Sequence, residues 1–262
     1  MSLKEIPMKR SRRMAVLFAM ALLFFNTMPA AAFEIGARAL YWFPAFKADM
    51  KVSGAGLAGD NLNLRDDLGV GNSSSPSFEA FGGMGRHSLS LAYTPMDYSG
   101  SALLGRQITF NGQTFAAGSS VDTDLKLRMV DLEYRYTLLD AENILAGFSL
   151  GAIGKIKYLD GEAKLSSAGK VASDTIRLPV PMVGLGARIG ILFRIIEARM
   201  KVTGIAYPDN YLYEGTADLA FTPFPFLDIT AGYRATRMRI DRNDTFLNSE
   251  FAGPYVGLTV GF

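Results

Sequence analysis

The chain has 262 residues, of which 49% are hydrophobic and 20% are charged, with a formal net charge of +2 and no cysteine. The absence of cysteine excludes disulfides and thiolate zinc sites as sources of stability. After residue 32, no apolar run reaches the length of about 18 residues that indicates a membrane-spanning helix, which excludes a helical membrane protein.

The N-terminus has the three parts of a secretory signal peptide. A basic patch from Lys9 to Arg13 precedes an apolar run from Met14 to Phe25, and small residues follow up to Ala32. Because this run is shorter than the roughly 20 residues of a membrane-spanning helix, we predict a cleaved signal peptide over residues 1–32. These residues hold five of the 27 bases and one of the 25 acids, which leaves 22 bases and 24 acids. No basic patch remains beyond them, and we expect no nucleic-acid partner.

Residues 33–262 alternate apolar and polar side chains at the period of two that is typical of β-strands. In the first segment, FEIGARALYWF, Ile35 and Tyr41 share one face and Arg38 and Trp42 share the other. Ten segments show this alternation: 33–43, 77–85, 88–98, 124–139, 144–158, 175–191, 196–207, 211–221, 227–240 and 251–262.

Short and long connections alternate along these predicted strands. Short turns follow the second, fourth, sixth and eighth strands, and YPDNY after the seventh is a short exception. Longer polar connections follow the first, third, fifth and ninth strands, over residues 47–76, 99–121, 159–174 and 241–250. This plan is typical of outer-membrane barrels with both termini on the periplasmic side. We therefore predict one domain over residues 33–262, an all-β, transmembrane, antiparallel up-and-down β-barrel of about 10 strands, with 8 or 12 as alternatives.

The two faces of the strands indicate lipid outside and a narrow interior. The face opposite the apolar one is rich in Gly, Ser and Thr among charges, whereas the outer face of a soluble sandwich would resemble ordinary protein surface. In lipid every backbone group needs an internal partner, which among sheets only a closed one provides. Near Met129-Val130 and near Met182-Val183 the apolar residues swap faces, and we predict a β-bulge at each place.

The C-terminal segment FAGPYVGLTVGF alternates apolar residues and ends in phenylalanine. It resembles the signal by which Gram-negative outer-membrane proteins are recognised for assembly, with Tyr255, Leu258, Val260 and Phe262 at the matching positions. The resemblance implies the barrel assembly machinery as a partner. Closure of the barrel places Phe262 against lipid, since the last strand must pair with the first.

Four further segments resemble a widespread group of small proteobacterial outer-membrane β-barrel proteins. They are NLRDDLGV (63–70), RHSLSLAYTPMDYSG (86–100), ITFNGQTFAAG (108–118) and DLEYRYTLL (131–139). The resemblance covers roughly residues 33–140 and the C-terminal strand. It implies the barrel fold and the outer membrane of a Gram-negative bacterium as the location. Because the group lacks an assigned activity, it implies no catalytic residues.

The inward positions of the predicted strands hold a nearly balanced set of charges. A ten-stranded interior is only slightly wider than that of an eight-stranded barrel, which side chains fill. Because isolated charges are costly to bury, we expect these to pair as a plug. A narrow pore or cavity for small anions is the alternative, given the slight excess of bases. The residues are the acids Glu34, Glu79, Asp131, Glu133, Glu197, Glu214, Asp218 and Asp228 and the bases Arg38, Lys126, Arg128, Arg135, Lys155, Lys157, Arg177, Arg188, Arg199, Lys201 and Arg234.

Two of the long connections carry local structure signals. In DNLNLRDDLGV (60–70), a helical turn could present Leu64 and Leu68 together, with Asp60 or Asn61 as N-cap. This turn could fold into the barrel mouth or lie on the lipopolysaccharide surface. In ITFNGQTF, Asn111-Gly112 between β-formers predicts a hairpin, and we expect it to present Phe110 and Phe115 outside the barrel.

Little in the sequence points to catalysis. The single histidine, His87, falls in a short turn, where we expect a solvated side chain. Asp66-Asp67 is the most visible carboxylate pair, although adjacent loop acids more often cap or solvate than catalyse. We therefore expect no enzyme, and neither catalytic residues nor a metal nor a cofactor.

Three functions stay open at this point. The first is a structural or surface-interaction barrel that acts through its extracellular loops and is surrounded by outer-membrane lipids and lipopolysaccharide. The second is a narrow channel or binding barrel for small polar or anionic solutes. The third is a hydrolase at the outer rim. The sequence does not indicate an oligomeric state.

Overall fold

The structure is a computed structural model that describes residues 33–141, 147–191, 195–242 and 244–262. The predicted signal peptide lies outside these residues. None of the described residues belongs to a helix long and apolar enough to cross a membrane. The described strands are β1 (Phe33–Trp42), β2 (Ala45–Val52), β3 (Leu62–Asn63), β4 (Ser75–Met84), β5 (His87–Leu103), β6 (Ile108–Phe110), β7 (Gln113–Phe115), β8 (Ser120–Ala141), β9 (Phe148–Ser167), β10 (Lys170–Ile191), β11 (Ile196–Tyr207), β12 (Asn210–Phe224), β13 (Leu227–Arg242) and β14 (Thr245–Gly261).

The long strands form a closed antiparallel barrel. Each pairs with its neighbour in chain order, and β14 returns to pair with β1. The closure continues to the last residue, where Ile35 and Phe262 exchange backbone hydrogen bonds of 2.9 and 2.8 Å. The predicted up-and-down barrel of ten strands is therefore confirmed.

The first barrel strand is interrupted where Pro44 removes a backbone donor. β1 pairs with β14 as far as Trp42, opposite Tyr255, and β2 then resumes the pairing from Ala45, opposite Ala252, as far as Val52. β1 and β2 thus act as one barrel strand with a break at Phe43 and Pro44. The sequence pattern ends this strand at residue 43, about one strand length too early.

The barrel has two different ends. At the first, which we call the turn end, short connections such as Gly85-Arg86 and Pro225-Phe226 join neighbouring strands. At the other, the loop end, the strands run further than the pattern predicts. β9 pairs with β10 up to Ser167, opposite Lys170, and β13 pairs with β14 up to Arg242, opposite Thr245. Most of the predicted loops 159–174 and 241–250 are therefore strand.

The polarity of the wall inverts between the two ends. On β9 near the turn end, Lys155 and Lys157 point inward and are buried, while Ile156 points outward and is exposed. Towards the loop end of the same strand, Leu159 and Leu165 are the buried inward residues, and polar residues take the outer face. The turn-end half is thus apolar outside and charged inside, as lipid requires. The loop-end half has an apolar core and a polar outer surface.

This inversion explains the apparent phase slips in the sequence, and the predicted bulges at Met129-Val130 and Met182-Val183 are wrong. The register of β9 with β10 runs without a shift from Lys170 to Ile189. β8 and β9 are likewise regular until a shift between Thr137 and Leu139. The side chains keep their faces, and only the chemistry of each face changes.

Around the turn-end half, the outer face forms a continuous apolar belt. Because these side chains would cost free energy in water at roughly 25 cal/mol per Å² of apolar surface, the belt indicates the membrane-spanning part. Its exposed members include Ile35, Tyr41, Leu89, Leu91, Tyr93, Leu132, Tyr134, Ile156, Val183, Leu185, Met200, Val202, Leu219, Tyr233, Val256, Leu258 and Val260.

Residues 60–72, the inner segment, complete the loop-end half between β2 and β5. The segment pairs with β2 through Met50 opposite Leu62 and reaches β5 through a 3.4 Å hydrogen bond from the Gly71 amide to the Ser99 carbonyl. It contains the predicted turn, but the N-cap is Asn63 rather than Asp60 or Asn61. The side-chain oxygen of Asn63 accepts hydrogen bonds from the backbone amides of Arg65 and Asp66. Its leucines Leu62, Leu64 and Leu68 are fully buried in the core.

Residues 108–115, the cap hairpin, close the loop end. Asn111 connects both sides of the mouth, because its amide donates to the Val52 carbonyl at 3.0 Å and its side chain donates to the Ser173 carbonyl at 2.7 Å. Asn111 and Gly112 take positive φ, as the predicted turn requires. The prediction that Phe110 and Phe115 face outside is wrong, since both are buried beneath the hairpin.

Candidate functional site

Three of the predicted interior charges lie on the outer wall. Lys126, Arg128 and Arg177 belong to the loop-end half, where the inward neighbours are apolar residues such as Leu127. Outside the barrel, Arg128 pairs with an aspartate of β5 at 2.6 Å and Arg177 with one of β9 at 3.3 Å. The prediction that these three side chains point inward is wrong, because in the loop-end half the charged side chains lie on the outer face of the wall.

All the other predicted interior charges except Lys157 line one cavity of about 470 Å³ in the turn-end half, which we call the charged cavity. It extends to the turn end, where Pro225 and Gly261 contribute to its lining and Glu34 is exposed. The predicted residues along it are Glu34, Arg38, Glu79, Asp131, Glu133, Arg135, Lys155, Arg188, Glu197, Arg199, Lys201, Glu214, Asp218, Asp228 and Arg234.

Five buried charges form an ion-pair cluster at the inner end of this cavity: Asp131, Lys155, Lys157, Glu214 and Arg234. Lys155 reaches Glu214 at 2.5 Å and Asp131 at 3.2 Å. Lys157 reaches Asp131 at 2.7 Å and Glu214 at 3.1 Å, and Arg234 contacts Glu214 at 2.8 Å. Each acid is thus shared by two lysines, and such sharing offsets the high cost of moving isolated charges out of water.

A second layer of pairs lies along the cavity wall. The shortest contact joins Arg199 to Asp218 at 2.6 Å, and the Tyr255 hydroxyl donates to the same carboxylate at 2.6 Å. Two further pairs are Lys201 with Glu133 at 2.8 Å and Arg38 with Glu79 at 3.2 Å. These pairs fix the side chains against the wall and leave the centre of the cavity open.

Trp42 separates the charged cavity from the loop-end core. Its indole nitrogen donates to the Gly253 carbonyl at 3.1 Å, and the guanidinium of Arg234 lies 4.8 Å from the ring centroid. Gly253 also allows the close approach of the break between β1 and β2, because a Cβ there would lie 2.0 Å from the Phe43 carbonyl oxygen. The alternation places Trp42 inside, but nothing in the sequence marks it as the boundary between the two halves.

The loop-end core contains a small apolar cavity of about 90 Å³, beside Phe46, Leu64 and Phe251. Two hydroxyls that line it, Tyr98 Oη and Ser249 Oγ, are buried without a hydrogen-bond partner among the described residues. The core around it is otherwise packed, and Phe46 stacks on Tyr98 with ring centroids 4.5 Å apart.

The residues considered for catalysis have structural contacts. Asp67 accepts a hydrogen bond from the Asn63 amide at 2.9 Å and lies 3.7 Å from Arg106, which also donates to the carbonyl of Asn61. Arg106 therefore ties the inner segment to the connection that carries the cap hairpin. His87 is exposed and lies 2.6 Å from the Tyr134 hydroxyl.

The closed barrel confirms, at the level of fold, the resemblance to small Gram-negative outer-membrane barrels. No protein-family model matches the chain, and no curated protein matches it.

Several solved structures are similar in fold. Ail, the attachment invasion locus protein of Yersinia pestis, in complex with sucrose octasulfate, is 14% identical, with a TM-score of 0.36 over 88% of this chain and 99% of that one. The translocator domain of the autotransporter NalP from Neisseria meningitidis is 8% identical, with a TM-score of 0.42 over 95% of each chain. The toluene transporter TodX of P. putida is 8% identical, with a TM-score of 0.34 over 90% and 91%. At these scores, nothing about the activity of this chain follows from them.

Proposed function

We propose that this chain is an integral outer-membrane β-barrel with a closed lumen that acts as a structural or surface-interaction protein through its loop end, which faces the cell exterior. The apolar belt supports the membrane location, since antiparallel barrels of this plan are characteristic of outer membranes. The proposal adds no catalytic residue.

The burial of the inner segment and the cap hairpin carries the proposal. The side chains of Leu62, Leu68, Phe110 and Phe115 are at most 2% exposed inside the loop-end half. A conducting pore needs a path lined by water or polar groups. Here the lumen meets first the ion-pair cluster, then Trp42, and then a packed apolar core.

The C-terminal strand supports the proposed route into the membrane. Leu258, Val260 and Phe262 lie on the exposed outer face, where the assembly machinery could contact them before lipid does. Tyr255 points inward and is buried, which suits a role in the folded barrel rather than in recognition alone. We propose that the assembly machinery binds this strand and that lipopolysaccharide surrounds the outer rim.

A narrow binding barrel for small polar or anionic solutes is the second candidate. The charged cavity favours it, because about 470 Å³ is within the size range of small-molecule sites, roughly 300–1,000 Å³. Such a barrel would receive its solute from the turn end and would not need a continuous pore.

Conductance in planar bilayers tests the closed lumen. We expect the intact barrel to give no steady conductance. A matched variant replaces residues 105–117 with a Gly-Ser turn. This short turn can join Leu104 to Gly118, because the Gly118 amide already donates a hydrogen bond to the Leu104 carbonyl at 2.8 Å. Absence of conductance in both forms supports a closed barrel. Steady conductance of the intact protein contradicts it, and conductance of the variant alone identifies a gated channel.

A further inference from the structure

Two arginines in the charged cavity lack an acidic partner. Of the seven described bases that line the cavity, five form ion pairs within 4.0 Å. The other two, Arg135 and Arg188, form none with any described residue. Neither arginine therefore has a carboxylate at ion-pair distance among the described residues, although Glu133 and Glu197 attract Arg135 from further away.

The two arginines share one stretch of wall. Arg135 starts on β8 and crosses β9, and its Nη2 atom donates to the Gly186 carbonyl on β10 at 3.3 Å. Arg188 follows Gly186 by two residues on the same inward face of β10. Inward neighbours on a strand are about 6.5 Å apart, which brings the two arginines into one region of the lumen, where their positive charges repel each other.

The side chain of Arg135 lies across two glycines of the neighbouring strands. A Cβ at Gly151 would stand 2.5 Å from Arg135 Nε, and a Cβ at Gly186 would stand 3.5 Å from Nη1. Only a bare backbone at Gly151 allows the guanidinium to rest against β9. The group is therefore held in place before any ligand arrives, which lowers the ordering cost of binding.

Arg135 retains unused hydrogen-bonding capacity. Its Nε atom is buried and has no hydrogen-bond partner among the described residues, although buried donors are almost always satisfied. The two acids that attract Arg135, Glu133 and Glu197, also contact other bases, since Glu133 pairs with Lys201 at 2.8 Å and Glu197 lies 3.9 Å from Arg199.

We propose that Arg135 and Arg188 form an oxyanion-binding site for the carboxylate or phosphate group of a small solute that enters from the turn end. A guanidinium presents a planar fork that binds such groups through two parallel hydrogen bonds. An oxyanion between the two side chains would neutralise their mutual repulsion. The site needs no open pore and does not depend on a closed lumen, but it rests on the second candidate function, a barrel that binds small anionic solutes from the turn end.

Isothermal titration of the folded full-length barrel in detergent tests the site, with inorganic phosphate and succinate as separate probes at low salt. We expect saturable binding of at least one probe. The probe that binds more tightly identifies the preferred ligand group as phosphate or carboxylate. Replacing both arginines (Arg135→Gln with Arg188→Gln) is expected to weaken binding at least tenfold. Absence of saturable binding to the intact barrel would overturn the proposal.

Two controls separate a specific site from general attraction. Arg38→Gln removes a paired base from the same cavity and is expected to change affinity less than threefold. A loss as large as that of the double variant would overturn the site. Arg135→Lys with Arg188→Lys keeps the two positive charges but removes the planar guanidinium groups. We expect the affinity to fall several-fold, and unchanged affinity would contradict bidentate binding. The folded state of each variant is verified by its migration on gels before and after heating.

Discussion

The guanidinium of Arg234 lies 4.8 Å from the centre of the Trp42 ring, at the level where the lumen changes from charged to apolar. On one side Arg234 belongs to the ion-pair cluster through Glu214. On the other, Trp42 is fully buried in the loop-end core. A desolvated cation–π contact contributes about 2 kcal/mol, so this pair stabilises the junction between two halves of opposite polarity.

The ion-pair cluster should depend strongly on Glu214. Glu214→Gln leaves the bases around it with one acid fewer, and we expect a loss of about 3–5 kcal/mol in the free energy of unfolding. Urea unfolding in lipid vesicles measures it. Glu250→Gln breaks the exposed pair with Arg237 and should cost at most about 1 kcal/mol. Equal losses would show that the cluster is no more important than a surface pair.

The inner segment should be anchored by its buried leucines. Leu64→Ala creates a cavity beneath the segment, and we expect a cost of about 2–5 kcal/mol in the unfolding free energy. Leu57→Ala is the matched control, because Leu57 is 48% exposed on the same connection. Hydrogen exchange of residues 60–72 provides a local measurement. Unchanged protection in the Leu64 variant would mean that the segment is not packed as described.

Two tyrosines should respond differently to loss of the hydroxyl. Tyr255 donates to the Asp218 carboxylate, and Tyr255→Phe should cost about 1.5–3 kcal/mol in the unfolding free energy, as for a hydrogen bond to a charged group. The Tyr98 hydroxyl is buried without a partner in the described part of the chain. Tyr98→Phe should therefore be neutral or stabilising. A cost for Tyr98→Phe as large as that for Tyr255→Phe would reveal a partner such as a bound water.

Two glycines on neighbouring strands should differ in their tolerance of a methyl group. A Cβ at Gly184 would lie 2.0 Å from the Val202 carbonyl oxygen, whereas a Cβ at Gly154 would meet nothing within 4 Å. Gly184→Ala should lower the unfolding free energy by about 1–3 kcal/mol. Gly154→Ala should be neutral or raise it by about 0.5–1 kcal/mol. Equal tolerance at both sites would contradict the close approach of β10 and β11.

The period-two pattern was sufficient to predict the barrel and its strand number, because each strand in lipid must place apolar residues on alternate positions. It failed where the surroundings change. The pattern alone predicts Lys126, Arg128 and Arg177 inside, because nothing in it marks the point where water replaces lipid outside the wall.

The period-two pattern does not indicate that the side chains of the cap hairpin are buried. Phe110 and Phe115 flank a turn that the sequence identifies correctly, but whether the hairpin folds outward or over the mouth depends on contacts between distant strands. Asn111 makes those contacts with Val52 and Ser173, and local sequence does not encode such pairings.

The inversion of polarity is tested most directly by the accessibility of spin labels at three positions of β8 in lipid vesicles, since the chain has no native cysteine. Labels replace Lys126 and Leu132, which share the outer face, and Leu127, which points inward. We predict that the Leu132 label is reached by oxygen dissolved in lipid, the Lys126 label by a water-soluble nickel complex, and the Leu127 label by neither. A Lys126 label shielded from nickel, or a Leu127 label exposed to it, would contradict the inverted wall.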